Sequence, residues 1–412
     1  MAWRAASAWT NRAEEYGGQL ECIAAPQQQI IRGSLPTSCP KRLDVKLRSE
    51  LRTTSTPNSV FKQVNNSTTT TSPNLHLHTP QAAQASPTMP RQDPIRALQL
   101  HNSPLILDGA LATELERRGC ALNTALWSAQ TLLSRPELIH DVHLSYFLAG
   151  ADIATTASYQ ASFLGLSDHG GISASQAHEL IKLSVSLAQR ARATVLDRQP
   201  GRRMLVAGSV GPYGAYLANG AEYRGDYELA EAVMRGFHRG RVEALVEAGV
   251  DLLACETMPS FAEVEALLGL LQEFPETVAW VSVTVKDEAH MSDGTPLEKV
   301  VRVLNECPQV VAMGVNCIPE DLVAGALSHM AACSLKPLVA YPNSGERYDP
   351  VSKTWHGEHL RDGRLQERAA EWHSAGAGLI GGCCRTTPED IRAVRERLRG
   401  SIDLITLSKR GA

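Results

Sequence analysis

The chain has 412 residues, more than one hydrophobic core usually supports, so its length allows two domains or one large domain with a tail. A formal net charge of −4 and a pI of about 6.4 give no electrostatic reason to expect nucleic acid or an anionic membrane as a partner. No apolar run approaches the roughly 20 residues of a spanning helix, and nine scattered cysteines with no secretory signal before them point to a reducing compartment with free or metal-bound thiols.

Composition divides the chain near residue 95. From Gln27 to about Pro94 it is rich in Ser, Thr, Pro, Asn and Gln, as in Ser67-Thr-Thr-Thr-Thr-Ser72, and has no sustained apolar period. Such a segment buries too little surface to offset the entropy of ordering. Residues 1–95 are therefore expected to be a largely disordered extension, and residues 96–412 the folded domain. Arg4, Arg12 and Trp9 fit a mitochondrial presequence, but Glu14 and Glu15 count against one; a solvated tail on a cytoplasmic protein is the expectation.

From Ser103 onward, short apolar runs alternate with longer amphipathic ones. Pro104–Asp108 and Asp152–Thr156 read as the first two strands, followed by a helix with Leu180, Leu183, Leu187, Ala191 and Val195 on one face. Met204–Gly208 is the third strand, and its helix is centred on Leu229, Val233 and Phe237. Asp251–Glu256 is the fourth, with Ser260 and Glu263 as a capping box for the next helix. Val278–Val285, Gln309–Cys317, Pro337–Pro342 and Leu379–Gly382 complete eight strands. Thr387, Pro388, Glu389 and Asp390 then have the cap, first-turn proline and acidic residues of a helix start. Eight strand–helix units in order predict an α/β fold, a (β/α)8 TIM-type barrel, over an open doubly wound sheet.

Catalytic groups of such barrels stand at the C-terminal ends of the strands. There the sequence places Asp108, Thr155 and Thr156, Gly211, Glu256, Lys286, Cys317, Asn343, and Cys383 with Cys384. Free cysteines often serve only as packing. Three of them at one level of a barrel mouth also suit a soft metal with an open fourth position. Asp108 and Glu256 suit an ammonium group, or ordinary surface ion pairs.

Longer stretches carry a resemblance. They are Asp108–Glu116, Thr155–Ala161, Gly208–Leu217, Glu222-Tyr-Arg-Gly-Asp226, Cys255-Glu-Thr-Met-Pro259, Gly314-Val-Asn-Cys317, Tyr341–Glu346 and Gly381-Gly-Cys-Cys-Arg385. Over roughly residues 103–400, in the correct order throughout, the chain resembles the zinc-dependent homocysteine S-methyltransferases, in the branch using S-methylmethionine or S-adenosylmethionine. The resemblance implies one Zn2+ per chain held by Cys317, Cys383 and Cys384. It implies Asp108 and Glu256 on the homocysteine amino group, with Thr155, Thr156 and Asn343 near the substrate. The product is then methionine. Tyr159, Tyr213, Tyr216 and Trp127 are aromatic candidates for the donor's sulfonium charge, or packing residues. The long oligomerisation arm of betaine-using relatives has no counterpart here, so a monomer acting on small molecules is expected.

Two other classes remain open on sequence. Lys286 at the end of the fifth strand would serve a Schiff-base lyase, and a non-enzymatic zinc-binding barrel would need a fourth ligand. His356, His359 and His373 are candidates whose positions favour loop or helix surface.

Overall fold

The computed structural model describes residues 93–122, 126, 128–349, 354–356 and 364–400. Residues 1–92 of the expected extension, Trp127 and His359 lie outside them. Short apolar runs become strands covered on both faces, as a parallel sheet requires. We label them β1 (Leu105–Ile106), β2 (Ile153–Thr155), β3 (Leu205–Val210), β4 (Leu252–Met258), β5 (Ala279–Val283), β6 (Val310–Asn316), β7 (Leu338–Tyr341) and β8 (Ala377–Ile380). Each pairs with its neighbour in parallel, and β8 returns to β1. The ring closes through the bridge between Leu107 and Ile153, where Asp108 N donates to Ile153 O at 3.0 Å. The expected barrel is present, and the open sheet is excluded.

Two apolar layers hold it. Inside, Leu105, Leu107, Ile153, Leu252, Trp280, Val339 and Leu379 fill the lumen. A short helix, Pro94–Gln99, presents Ile95 and Leu98 to the same cluster, so the expected boundary after residue 95 falls within this helix. Asp93 caps it, its carboxylate accepting from Ile95 N at 2.9 Å and Arg96 N at 3.1 Å. Outside, the helices cover the sheet. Ala174–Arg198 buries Leu187, Ala191 and Val195 as the spacing predicts, and Leu180 and Leu183 are partly buried. At Pro388–Arg399 the expected start is borne out, as Thr387 and Asp390 form a reciprocal capping box. Such a cap contributes about 1 kcal/mol. Among the described residues no helix is long and apolar enough to cross a membrane.

Two local expectations fail. The helix Glu231–Glu247 does not turn Val233 inward; Val233 is exposed, and the buried face is Met234, His238, Arg241, Val242 and Leu245. Ser260 makes no side-chain cap; Asp293 accepts from Phe261 N at 2.6 Å. Glu263 instead points into the protein and meets His238. A buried polar network replaces apolar packing between these two helices, and an apolar period cannot register it.

Candidate metal centre and substrate cavity

The C-terminal ends of the strands surround one cavity of about 210 Å³. Asp108 follows β1 and is buried; its carboxylate accepts from Thr155 N at 2.8 Å and Thr155 Oγ1 at 3.1 Å. Burial pushes its carboxyl up to about 8; the Thr155 backbone bond opposes this and the charge of Glu256 adds to it. Thr156 turns sideways, bonding Ser158 Oγ at 2.7 Å and accepting from Ser209 N at 3.0 Å, which joins the ends of β2 and β3. Glu256, in β4, accepts from the hydroxyls of Ser209 and Tyr341. Burial raises its carboxyl to about 7, and those two bonds oppose the rise. In a cavity that disfavours unpaired negative charge, these two acids gain most from a cationic ligand.

Opposite them stand the thiols. Cys317 Sγ lies 3.6 Å from Cys384 Sγ, Cys383 and Cys384 are 4.0 Å apart, and all three sulfurs fall within 4.8 Å of one another. The backbone sets this placement. Cys317 N donates to Tyr341 O at 3.1 Å, Cys383 N to Pro342 O at 2.7 Å, and Ser344 N to Cys384 O at 3.1 Å, so the turns after β6, β7 and β8 interlock. The β8 turn needs its glycines; a Cβ on Gly381 would stand 2.6 Å from Leu107 Cβ, and one on Gly382 would run into Thr386. Hydrogen bonds from Cys383 and Cys384 hold the Cys317 thiol well below the usual range against the effect of burial, while the other two thiols are raised. One thiolate accepting from two thiols is a donor set that fits a soft, tetrahedral metal ion.

Four non-glycine residues at or beside this mouth adopt left-handed backbone: Thr257 (φ 62°), Cys317 (φ 54°), Arg385 (φ 69°) and Ala218 (φ 50°). Each costs on the order of 1–3 kcal/mol and persists only where neighbours over-determine it. For Thr257 that neighbour is Asn316. Its Oδ1 accepts from Thr257 N and from Ser282 Oγ, each at 2.7 Å, and its Nδ2 donates to Thr257 Oγ1 at 2.8 Å. Ser282 in turn meets Tyr341 OH at 2.7 Å, and Trp280 donates to that same hydroxyl at 2.9 Å.

Asp108, Thr155, Thr156, Glu256, Cys317, Cys383 and Cys384 all line the cavity, as does Tyr159. Asn343 is not part of its lining; it is buried beside the thiol turns, with its N–H on Ile318 O at 3.0 Å. Lys286 is exposed on the hairpin of Val285–Asp287 and His290–Met291, and among the described residues no lysine lines the cavity. That leaves a Schiff-base lyase without its amine. Tyr213 and Tyr216 also stand elsewhere, in an aromatic cluster with Tyr227 and Phe237 at ring separations of 5.1–5.9 Å. His356 is exposed, and His373 Nδ1 faces Ala377 O at 2.9 Å, at the start of β8, whereas the thiols lie beyond its end.

The sequence reading missed Ser209 and Tyr341 as partners of Glu256, and quoted Glu222-Tyr223 as a motif without a role. Tyr223 OH lies 3.3 Å from Cys317 Sγ. It also missed Arg241. This fully buried guanidinium donates to Tyr159 O at 2.6 Å and to Gly211 O, and faces His238 Nδ1 at 3.0 Å. His238 Nε2 meets Glu263 Oε1 at 2.7 Å, and Glu263 also accepts from Tyr213 N at 2.6 Å and from Tyr227 OH. The network fixes the loops after β2 and β3, and with them Tyr159 at the cavity wall. A charged side chain on a helix, like the exposed Arg239 beside it, gives no local signal of this burial.

A parallel barrel with three cysteines placed so that they could hold a metal ion, and with buried carboxyls at the same end, fits the class of metal-thiolate barrel enzymes. The family model described as homocysteine S-methyltransferase matches residues 105–398, and the chain belongs to that family. It is 54% identical over 312 residues to the homocysteine S-methyltransferase of Escherichia coli (strain K12), covering 75% of this chain and 100% of the relative. Against the homocysteine S-methyltransferase YbgG of Bacillus subtilis (strain 168) the identity is 49% over 294 residues, covering 70% and 93%. The crystal structure of the homocysteine methyltransferase MmuM from Escherichia coli, in its metallated form, is similar at 51% identity with a TM-score of 0.68, covering 74% of this chain and 100% of that one.

Proposed function

We propose that the chain transfers a methyl group from a sulfonium donor, S-methylmethionine or S-adenosylmethionine, to the sulfur of L-homocysteine, giving methionine. One zinc ion would be held by Cys317, Cys383 and Cys384. The observation that carries this reading is the approach of three thiols, all within 4.8 Å, in the same cavity as two buried carboxyls. Zinc bound there supplies a Lewis acid that lowers the pKa of an acceptor thiol.

The protein's own groups do the rest. Asp108 and Glu256 take the ammonium end of homocysteine, and each gives up its proton as that cation arrives. Thr155 and Ser209 keep the two carboxylates turned toward the ligand. The acceptor sulfur is thereby placed at the thiol turns while its amino group stays at the ends of β1 and β4. Cysteine is shorter by one methylene, and an apolar pocket distinguishes that by only about 1–3 kcal/mol. Two anchors at fixed separation discriminate by reach instead. Holding nucleophile and methyl carbon in line removes several kcal/mol of entropic barrier. The reading takes the chain to act as a monomer in the cytoplasm.

The test is zinc content and methionine formation on one purified sample, with each donor supplied separately. One zinc per chain with chelator-sensitive methionine formation is the expected result, and the two rates identify the donor. Zinc without turnover on either donor would favour a binding module. Absence of both, in protein protected from oxidation, would sink the assignment.

A further inference from the structure

Four carboxyl groups line the cavity; Glu116 is exposed and lies 3.9 Å from the Arg385 guanidinium, and two buried ones are held by protein donors: Asp108 by Thr155, and Glu256 by Ser209 and Tyr341. Glu222 differs from both. Its Oε2 is buried and has no hydrogen-bond partner among the described residues. The turn that carries it is well fixed. Ala221 N donates to Asn219 Oδ1 at 3.0 Å, Gly225 N to Ala221 O at 2.8 Å, and Thr284 Oγ1 to Glu222 O at 3.2 Å. The neighbouring Arg224 acts on it by charge, and its own hydrogen bonds go to Asp226 at 2.8 Å and Asn219 O at 3.0 Å. The next residue, Tyr223, reaches Cys317 Sγ at 3.3 Å, so Glu222 stands beside the place where the acceptor sulfur arrives.

A carboxylate oxygen stripped of donors is poorly suited to rest beside neutral groups. It suits a cation that has no N–H to donate. A sulfonium is such a cation, its charge spread over sulfur and the adjoining C–H groups. We infer that Glu222 is the residue that selects the methyl donor, with its unpartnered Oε2 facing the sulfonium charge. This deepens the proposed function and rests on it.

The chemistry fixes which kinetic constant responds. The acceptor sulfur forms a bond to the methyl carbon, the donor's S–CH3 bond breaks, and its electron pair stays on the donor sulfur, which becomes a neutral thioether. Positive charge on the donor therefore fades toward the transition state. Attraction to Glu222 is stronger before the reaction than during it, so Glu222 tightens donor binding without accelerating transfer.

The experiment uses the zinc-loaded full chain and the variants Glu222→Gln and Glu222→Asp. Glu222→Gln is expected to raise the KM for S-methylmethionine at least about tenfold, keep kcat within about threefold, and leave the homocysteine KM within about twofold. Glu222→Asp should fall between wild type and the glutamine variant. Zinc content and melting temperature, measured on all three proteins, expose a merely structural role, which would move them along with both KM values. Calorimetric titration with S-methylmethionine in the absence of acceptor separates this inference from the proposed function. Donor binding that weakens about tenfold in Glu222→Gln supports the subsite even where turnover is absent and the function must be reassigned. An unchanged donor affinity, or a shift confined to the homocysteine KM, overturns the inference.

Discussion

The two ends of this barrel solve opposite problems with the same eight strands. At the N-terminal end the buried carboxylate of Asp152 is fully partnered. Asp152 accepts from Ile106 N at 2.7 Å and Asn102 Nδ2 at 3.2 Å and is clasped by Arg399, while Ile95 and Leu98 close the lumen with apolar surface. At the C-terminal end, carboxyls are buried without cations, three thiols crowd together, and Thr257, Cys317 and Arg385 hold strained backbone. One end supplies stability, and the other consumes it to present groups that water would otherwise satisfy.

Cys317→Ser should break the upper end most severely. It is expected to lose the metal and to lower methionine formation by at least about 1000-fold, because the remaining two thiols leave a ligand short. Metal analysis and a coupled assay measure both, and its melting temperature should match that of metal-free wild type. Wild-type zinc content in this variant would refute the ligand set. A smaller effect is expected from the lower end. Ile95→Ala should cost about 2–5 kcal/mol in denaturant unfolding while keeping one zinc and an unchanged kcat at 25 °C. A lost kcat with stability intact would show that the two ends are not separable in this way.

The barrel was legible in the sequence because covered parallel strands read as short apolar runs, and all eight fall where such runs occur. The cysteines were legible because strand ends are defined by where those runs stop. His238, Arg241 and Glu263 were not, since a polar network between two helices mimics a solvated face; the apolar period selected Val233, which is exposed. Glu222 and Tyr223 were opaque for another reason. They lie in a turn between β3 and the helix Glu231–Glu247, and nothing in their local pattern says that the turn folds back over Cys317.

The smallest effect concerns pH. Burial raises Asp108 to about 8 and Glu256 to about 7 in the folded protein, above the ordinary values of 3.8 and 4.5. Their contribution to stability is therefore full below about pH 4 and is lost as pH rises through 7 and 8. A bound ammonium reverses the trend by favouring the ionised forms. The increment in melting temperature given by methionine should accordingly grow from pH 5.5 to pH 8.5 in the zinc-loaded protein. An increment that is flat or shrinks over that range would remove the two acids as the amino-group anchors.

Asn316 gives the site a property that no single contact has. One amide grips Thr257, next to Glu256, while its own backbone continues into Cys317. The carboxylate side and the sulfur side are thus the two jaws of a calliper with Asn316 at the pivot. Their opening is set by the spacing of β4 and β6. Acceptors are then graded by whether they span the gap, so a change of chain length would require moving the pivot and not only reshaping the wall.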